Sequence, residues 1–236
     1  MTNTQKPEPA VRHGHGEIDV HSMFYTIQGE CIHQGRPALF LRLAGCSLQC
    51  PLCDTEYTQG RYRVGSSELA YSVAERLNQH RTDLLVITGG EPLRQQLDEF
   101  LTHMYQSRPG TIVQIETNGI HPITPFMMER MQRRTLDVVV SPKVHYVDET
   151  LRFASAWKYI IQHGNVDEAD GLPIQALENK VKGRVARPLG FAQVWLNPAD
   201  EQDERKNKRN RDLAAKLCLK FGYRLGVQLH KIYDLE

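Results

Sequence analysis

An excess of either charge is missing from this sequence. Its 236 residues carry 29 lysines and arginines against 28 aspartates and glutamates, a formal net charge of +1. Surfaces that hold nucleic acid or an anionic membrane concentrate one sign, so neither partner is expected. Long apolar runs are missing too, and none approaches the roughly 20 residues that cross a bilayer. Met1 to Gly16 is polar, with Pro7, Pro9 and the tract His13-Gly14-His15-Gly16, and lacks the apolar stretch of a secretory signal. A cytoplasmic setting is therefore expected. The histidine–glycine tract could bind metal weakly but reads better as disordered tail. Cysteines are few, five in all. A reducing compartment argues against disulfides among them and favours metal binding or catalysis. No linker, composition shift or short-period repeat divides the chain. The expectation is a flexible tail over 1–17 and one domain over 18–236.

What is present centres on Gly45-Cys46-Ser47-Leu48-Gln49-Cys50-Pro51-Leu52-Cys53-Asp54-Thr55. Three cysteines in C-x3-C-x2-C spacing follow an apolar run, Ala38–Leu43, that reads as a buried strand. Three thiolates cannot all pair with one another. Four would close a zinc tetrahedron or saturate an iron–sulfur cube, whereas three leave a coordination position open for chemistry. A zinc site completed by His33 or Asp54 is the bland alternative. Cys31 reads as a small semi-buried thiol and Cys218 as core.

Along the chain, Ile18 to Glu30 is an extended entry segment ending in Tyr25-Thr26-Ile27-Gln28-Gly29-Glu30. After the cysteine loop, the spacing predicts a helix over Ser67–His80, a strand over Asp83–Thr88 and a helix over Arg94–Gln106. A strand over Thr111–Glu116, a helix over Thr124–Arg134 and strands over Leu136–Val140 and Trp157–Ile161 follow. Then come a helix over Val166–Lys180, a strand over Ala192–Leu196, a long charged helix over Glu201–Phe221 and a strand over Arg224–Leu229. The mixed charges of Glu201 to Arg211 suit a solvated helix face. This alternation predicts an α/β fold, a partial, open TIM-like barrel with about six parallel strands. Nearly every strand ends in a polar or glycine-bearing cluster, and in such folds these ends share one face, where active sites assemble.

Those clusters carry a resemblance. Cys46-x3-Cys50-x2-Cys53 after one strand and Gly89-Gly90-Glu91-Pro92 after the next resemble the radical S-adenosylmethionine (SAM) enzymes. Phe24-Tyr25-Thr26-Ile27-Gln28-Gly29-Glu30, Phe40-Leu41-Arg42-Leu43-Ala44-Gly45-Cys46 and Cys53-Asp54-Thr55 look like the 7-carboxy-7-deazaguanine synthase family within them. So do Glu116-Thr117-Asn118-Gly119, Ser141-Pro142-Lys143 and Leu229-His230-Lys231, and the likeness runs from about residue 20 to the last. The resemblance implies a 4Fe–4S cluster on the three cysteines, with SAM on its open iron and a 5′-deoxyadenosyl radical as the reactive species. It implies conversion of 6-carboxy-5,6,7,8-tetrahydropterin to 7-carboxy-7-deazaguanine, with ring contraction and loss of ammonia, on the route to 7-deazapurines such as queuosine.

By the same resemblance, Leu52, Cys53, Asp54, Gly90 and Glu91 would contact SAM, as would Ser141-Pro142-Lys143 and Asn197-Pro198-Ala199-Asp200. Ile27, Gln28, Gly29 and Glu30 would read the pterin edge, and Arg42 would clamp its carboxylate, a task suited to guanidinium. Thr88, Glu116, His230 and the terminal carboxylate of Glu236 would complete the pocket. Thr55 would ligate Mg²⁺, whose preference is for oxygen. A flavodoxin- or ferredoxin-type electron donor and a homodimer are also implied. The sequence departs from the family at Cys31, where a glycine is usual, and at Leu52, where a tryptophan is common. Two rivals stand beside this reading: an activase that makes a glycyl radical on a partner protein, and a non-enzymatic iron–sulfur or zinc module.

Overall fold

The computed structural model describes residues 3–11, 16–53, 55–176, 178 and 183–235. In chain order the strands and helices are β1 (Glu17–Ile27), β2 (Pro37–Leu43), β3 (Tyr62–Gly65), α1 (Ser66–Gln79), β4 (Leu84–Gly89), α2 (Asp98–Ser107) and β5 (Ile112–Thr117). There follow α3 (Pro125–Gln132), β6 (Leu136–Val140), β7 (Ala156–Ile161), β8 (Gln193–Pro198), α4 (Glu204–Phe221), β9 (Arg224–Leu225) and α5 (Leu229–Tyr233).

Among the described residues the strands form one sheet in the order β3-β1-β2-β4-β5-β6-β7-β8-β9. From β2 to β9 every pairing is parallel, which makes seven parallel strands counting the two-residue β9. The entry segment is β1, antiparallel to β2, and β3 extends that edge. The ends of the sheet do not meet, so the barrel is open, as the alternation predicts.

Side chains alternate across a strand, and here the two faces are chemically different. One face presents Leu39, Leu41, Leu43, Leu85, Ile87, Val113, Ile115, Val138 and Val140 to the helices, where Leu69, Val73, Phe100, Leu101 and Leu217 complete the main core. The opposite, inner face is apolar at the strand starts, with Ala38, Leu84 and Val86 packed on Phe40 and Ile112. It turns polar toward the C-terminal ends. Arg42 is register partner to Thr88, and Glu116 continues the row one strand further on.

Among the described residues, what packs on that inner face at β6 and β7 is the loop joining β1 to β2. Its turn Cys31–His33 packs Cys31 against Val139 and Ala156. Cys31 has φ 63°, the left-handed region, which accounts for the glycine usual there. His33 is held by Asp137 (2.9 Å) and Arg36 (2.9 Å), so both ring nitrogens are engaged away from the cysteines.

Three expected elements differ. The helix over Val166–Lys180 does not form: residues 166–176 are turns with a single antiparallel bridge between Val166 and Pro173. Gly171, at φ 70°, and Pro173, which has no N–H, break the helical period within that stretch. The helix over Arg94–Gln106 starts later, at Asp98, because the Glu91 carboxylate caps a separate short turn, Pro92–Arg94. The strand over Arg224–Leu229 stops at Leu225, and Leu229 opens α5 instead.

Candidate active site

The cysteine loop leaves β2 through Gly45, at φ 78°, whose N–H donates to Tyr57 O at 2.9 Å and closes the loop's neck. Cys46 and Cys50 are buried, Cys53 is half-buried, and none of the three is in a disulfide among the described residues. Burial pushes the Cys46 thiol up to about 12, with Glu91 and the other two cysteines adding to the rise. Burial also raises Cys50. Three thiolates this close are disfavoured without a cation, so the loop suits a group that deprotonates them on binding. In an iron–sulfur cube each cysteine takes its own iron, and the sulfurs need not meet at one point. Among the described residues no three of His, Cys, Asp and Glu gather to hold a single ion. His33, one of the two expected fourth zinc ligands, is engaged elsewhere, and the other, Asp54, lies outside the described residues.

The next strand end packs flush on this loop. A Cβ at Gly90 would lie 2.1 Å from Gly45 O and 2.8 Å from Cys46 Cβ, and one at Gly89 would lie 2.2 Å from Leu43 O. The glycines therefore allow backbone to approach the cysteine loop itself. Glu91, 0% exposed, fixes the junction. Its N–H donates to Gly45 O (2.9 Å), and its carboxylate accepts from Leu93 N–H (3.0 Å), Thr117 Oγ1 (2.6 Å) and Asn118 N–H (2.7 Å). Burial nonetheless pushes its pKa up. Three sequence clusters (the cysteine loop, Gly-Gly-Glu-Pro and Glu-Thr-Asn-Gly) are thus in direct contact.

Beside them, on the inner face, stands a network centred on Glu116. Its carboxylate accepts from Gln28 Nε2 (3.0 Å), Gln114 Nε2 (2.9 Å) and Thr88 Oγ1 (3.3 Å). Glu30 is bound by Lys158 and by Gln228 Nε2, the latter at 2.8 Å. Burial opposes the charge on Glu30, but Lys158 and the hydrogen bonds outweigh it and hold the pKa near about 2. Lys158 is reciprocally raised, since Glu30 and Glu116 overcome its desolvation. Arg42 lies 5.4 Å over the Phe24 ring, which stacks on Phe40. His230 sits against Gly29, where a Cβ would fall 2.4 Å from its Nδ1, and Leu229 N–H donates to Gly29 O at 3.1 Å. Ile27, 37% exposed, ends β1 at the edge of this group.

Lys143 Nζ donates to Ser141 Oγ (2.6 Å) and Ser141 O (2.8 Å), next to Pro142. Burial pushes its pKa down, while Cys50 and Cys53 pull it up. Asn197 is fully buried with neither amide atom bonded among the described residues, and a Cβ at Gly226 would lie 1.8 Å from Asn197 Oδ1, so any larger residue there would displace that side chain. Pro198, Ala199 and Asp200 line a neighbouring cavity of about 490 Å³ with Leu225, Val227 and Ile232. Leu52 is 47% exposed beside the cysteines, and Thr55 is half-buried. Asp54, Glu236 and the histidines of the N-terminal tract fall outside the described residues.

The sequence reading missed Lys158, Gln114 and Gln228. The first two had a signal: each is a polar residue inside an apolar strand, and Gln114 has the parity of Glu116.

The radical SAM superfamily signature matches residues 41–162. A 7-carboxy-7-deazaguanine synthase of Rhodospirillum rubrum is 36% identical over 97% of this chain and 96% of its own length. The chain belongs to the 7-carboxy-7-deazaguanine synthase family. A synthase of Rickettsia prowazekii is 33% identical, covering 98% of this chain and 94% of the relative. The crystal structure of QueE from Escherichia coli superposes with a TM-score of 0.64 over 91% of this chain and 95% of that one, at 23% identity, and so shares the fold. The chain is a radical SAM enzyme, and membership of that superfamily implies a 4Fe–4S cluster and SAM.

Proposed function

We propose that this chain converts 6-carboxy-5,6,7,8-tetrahydropterin to 7-carboxy-7-deazaguanine in 7-deazapurine biosynthesis. The observation that carries the reading is the inner-face row Arg42, Thr88 and Glu116, laid beside the cysteine loop by the register of β2, β4 and β5. Cys46, Cys50 and Cys53 would hold the cluster. Leu52, Cys53, Asp54, Gly90, Glu91, Ser141-Pro142-Lys143 and Asn197 to Asp200 would seat SAM. When bound, the cluster and SAM supply an electron and a 5′-deoxyadenosyl radical that takes a hydrogen from the substrate.

The chain's own residues bind, orient and exclude water. Arg42 offers a planar pair of donors to the substrate carboxylate. Glu116 and Glu30 present fixed acceptors to the pterin's N–H edge, with Ile27, Gln28, Gly29, Thr88 and His230 around them. Their orientation, set by the protein donors they already accept from, would favour a ring whose N–H groups meet them, which supplies discrimination. Of these, Glu30 is already ionised and locked by Lys158, so no reorganisation is required when substrate arrives. Thr55 would ligate Mg²⁺ near the substrate, and the terminal carboxylate of Glu236 would reach it. A flavodoxin- or ferredoxin-type donor would supply electrons to a cytoplasmic homodimer.

The experiment is anaerobic incubation of cluster-loaded protein with SAM, reductant, Mg²⁺ and the carboxy-tetrahydropterin, followed by mass analysis. Appearance of 7-carboxy-7-deazaguanine supports the reading. SAM cleavage without that product, cluster intact, overturns the substrate assignment.

A further inference from the structure

Residues 3–11, polar enough to be expected as tail, run across the cysteine loop and meet it at three levels. At the neck, Glu8 N–H donates to Cys46 O at 2.7 Å. Along the returning flank Gln5 uses both ends of its amide, Nε2 donating to Thr55 O (2.8 Å) and Oε1 accepting from Tyr57 N–H (2.9 Å). At the tip, Asn3 N–H donates to Pro51 O (2.9 Å) and Asn3 Nδ2 to Cys50 O (3.1 Å), while Gln49 Nε2 returns a bond to Asn3 O (3.2 Å). The segment is anchored behind the loop. The Glu8 carboxylate binds Arg94, which is 2% exposed, and Arg61 at 2.8 Å; Val11 N–H donates to Arg94 O at 2.7 Å. Arg94 in turn covers Gly45, where a Cβ would lie 2.4 Å from its guanidinium.

A loop without helix or ladder satisfies few of its carbonyls itself (Cys53 N–H donates to Cys50 O at 3.1 Å), and the remaining acceptor capacity goes to water or another segment's donors. Here Cys46 O, Cys50 O, Pro51 O and Thr55 O are all taken by residues 3–8. Gln5 offers a donor and an acceptor side by side, which matches a loop edge presenting both C=O and N–H. Asn3 donates to the loop while its Oδ1 accepts from Gln5 N–H at 2.9 Å, bracing the two residues together. We propose that residues 3–8 are a strap, with Asn3, Gln5 and Glu8 as positioning residues, that fixes the spacing of the three cluster cysteines and keeps water from their backbone. The inference rests on the loop being the cluster site and adds which part of the chain holds it in register.

The test uses the full chain, a variant lacking residues 2–9, and the double variant Asn3→Ala/Gln5→Ala, each loaded with cluster anaerobically. Iron release to an excess of chelator and bleaching of the visible absorption in air are timed, and the thermal midpoint of each apo-protein is measured. Losing several net hydrogen bonds to the loop should speed iron release about tenfold or more, with an intermediate rate and an unchanged apo midpoint for the double variant. The deletion, which also strips Glu8 from buried Arg94, should lower its own apo midpoint. Equal release rates across the three proteins overturn the strap while leaving the cluster site intact. Faster release by the double variant, matched by a fall in its apo midpoint, overturns it too, since Asn3 and Gln5 would then stabilise the fold at large. A full chain that takes up no iron overturns both the cluster site and the strap, whereas failure to turn over the pterin touches neither.

Discussion

Among single residues, the chemistry of this chain turns on side chains whose charge is fixed before any ligand arrives. Lys158 is the clearest, a lysine inside an apolar strand that meets Glu30 and feels Glu116. Lys158→Met should leave Glu30 buried and uncompensated and cost about 3–5 kcal/mol in denaturant unfolding. The double variant with Glu30→Gln should recover much of that, and a strictly additive cycle would show that the pair is not coupled. Arg42→Ala should raise KM for the pterin by about tenfold or more through loss of a charge-assisted contact, while SAM is still cleaved slowly without product; an unchanged KM would contradict the clamp. Cys31 gives the opposite kind of test. At φ 63° its Cβ is strained, so Cys31→Gly relieves about 1–2 kcal/mol and loses a comparable amount of buried contact. Its thermal midpoint should barely move, whereas Cys31→Val should fall clearly.

At the scale of elements, the sheet's register was far easier to read than its loops. Between Ala38 and Ile161 the strands and helices whose apolar period is uninterrupted stand where their spacing predicts, because burial on one face sets the pattern directly. The start of α2 and the short edge strand β3 are the exceptions. The failures are local. Val166–Lys180 has a helical count of apolar residues, but Gly171 and Pro173 outweigh it. The start of α2 is displaced by a carboxylate three residues outside the expected helix, a side-chain cap that no periodicity encodes. That same carboxylate yields a prediction. Glu91→Gln would replace one acceptor oxygen by a donor facing Leu93 N–H, Asn118 N–H or Thr117 Oγ1. The variant should fold, by circular dichroism, yet hold less iron per chain, because the loops it ties flank the cysteines; full iron content would assign Glu91 a role unrelated to the cluster loop. The site itself was legible as a set of strand-end motifs. What the sequence could not show is how they lean on one another, since the bonds from Gln28 to Glu116 and from Glu30 to Lys158 join positions that no local pattern relates.

For the whole molecule, the inner face converts an open barrel into a pocket by folding one hairpin loop into it. This gives a pH signature. Glu30 is ionised down to about 2 in the fold against an ordinary value of 4.5. A depressed carboxylate contributes stability that is complete above about 4.5 and lost as pH falls toward about 2, on the order of 3 kcal/mol for a shift this size. The stability difference between the parent and Glu30→Gln, followed from pH 6 downward, should therefore shrink through that window. A difference independent of pH would show that Glu30 is not held ionised.

The closure of the pocket also has a direction in time. Gln228 reaches back 198 positions to Glu30, and Lys158 reaches back 128. A chain made from its N-terminus exposes the cysteine loop while most of the sheet is still unmade. The partners that lock Glu30 arrive only with β7 and the last residues before α5, and such long-range pairings form late. On the ribosome, then, the three thiols emerge well before the partners that close the pocket beside them.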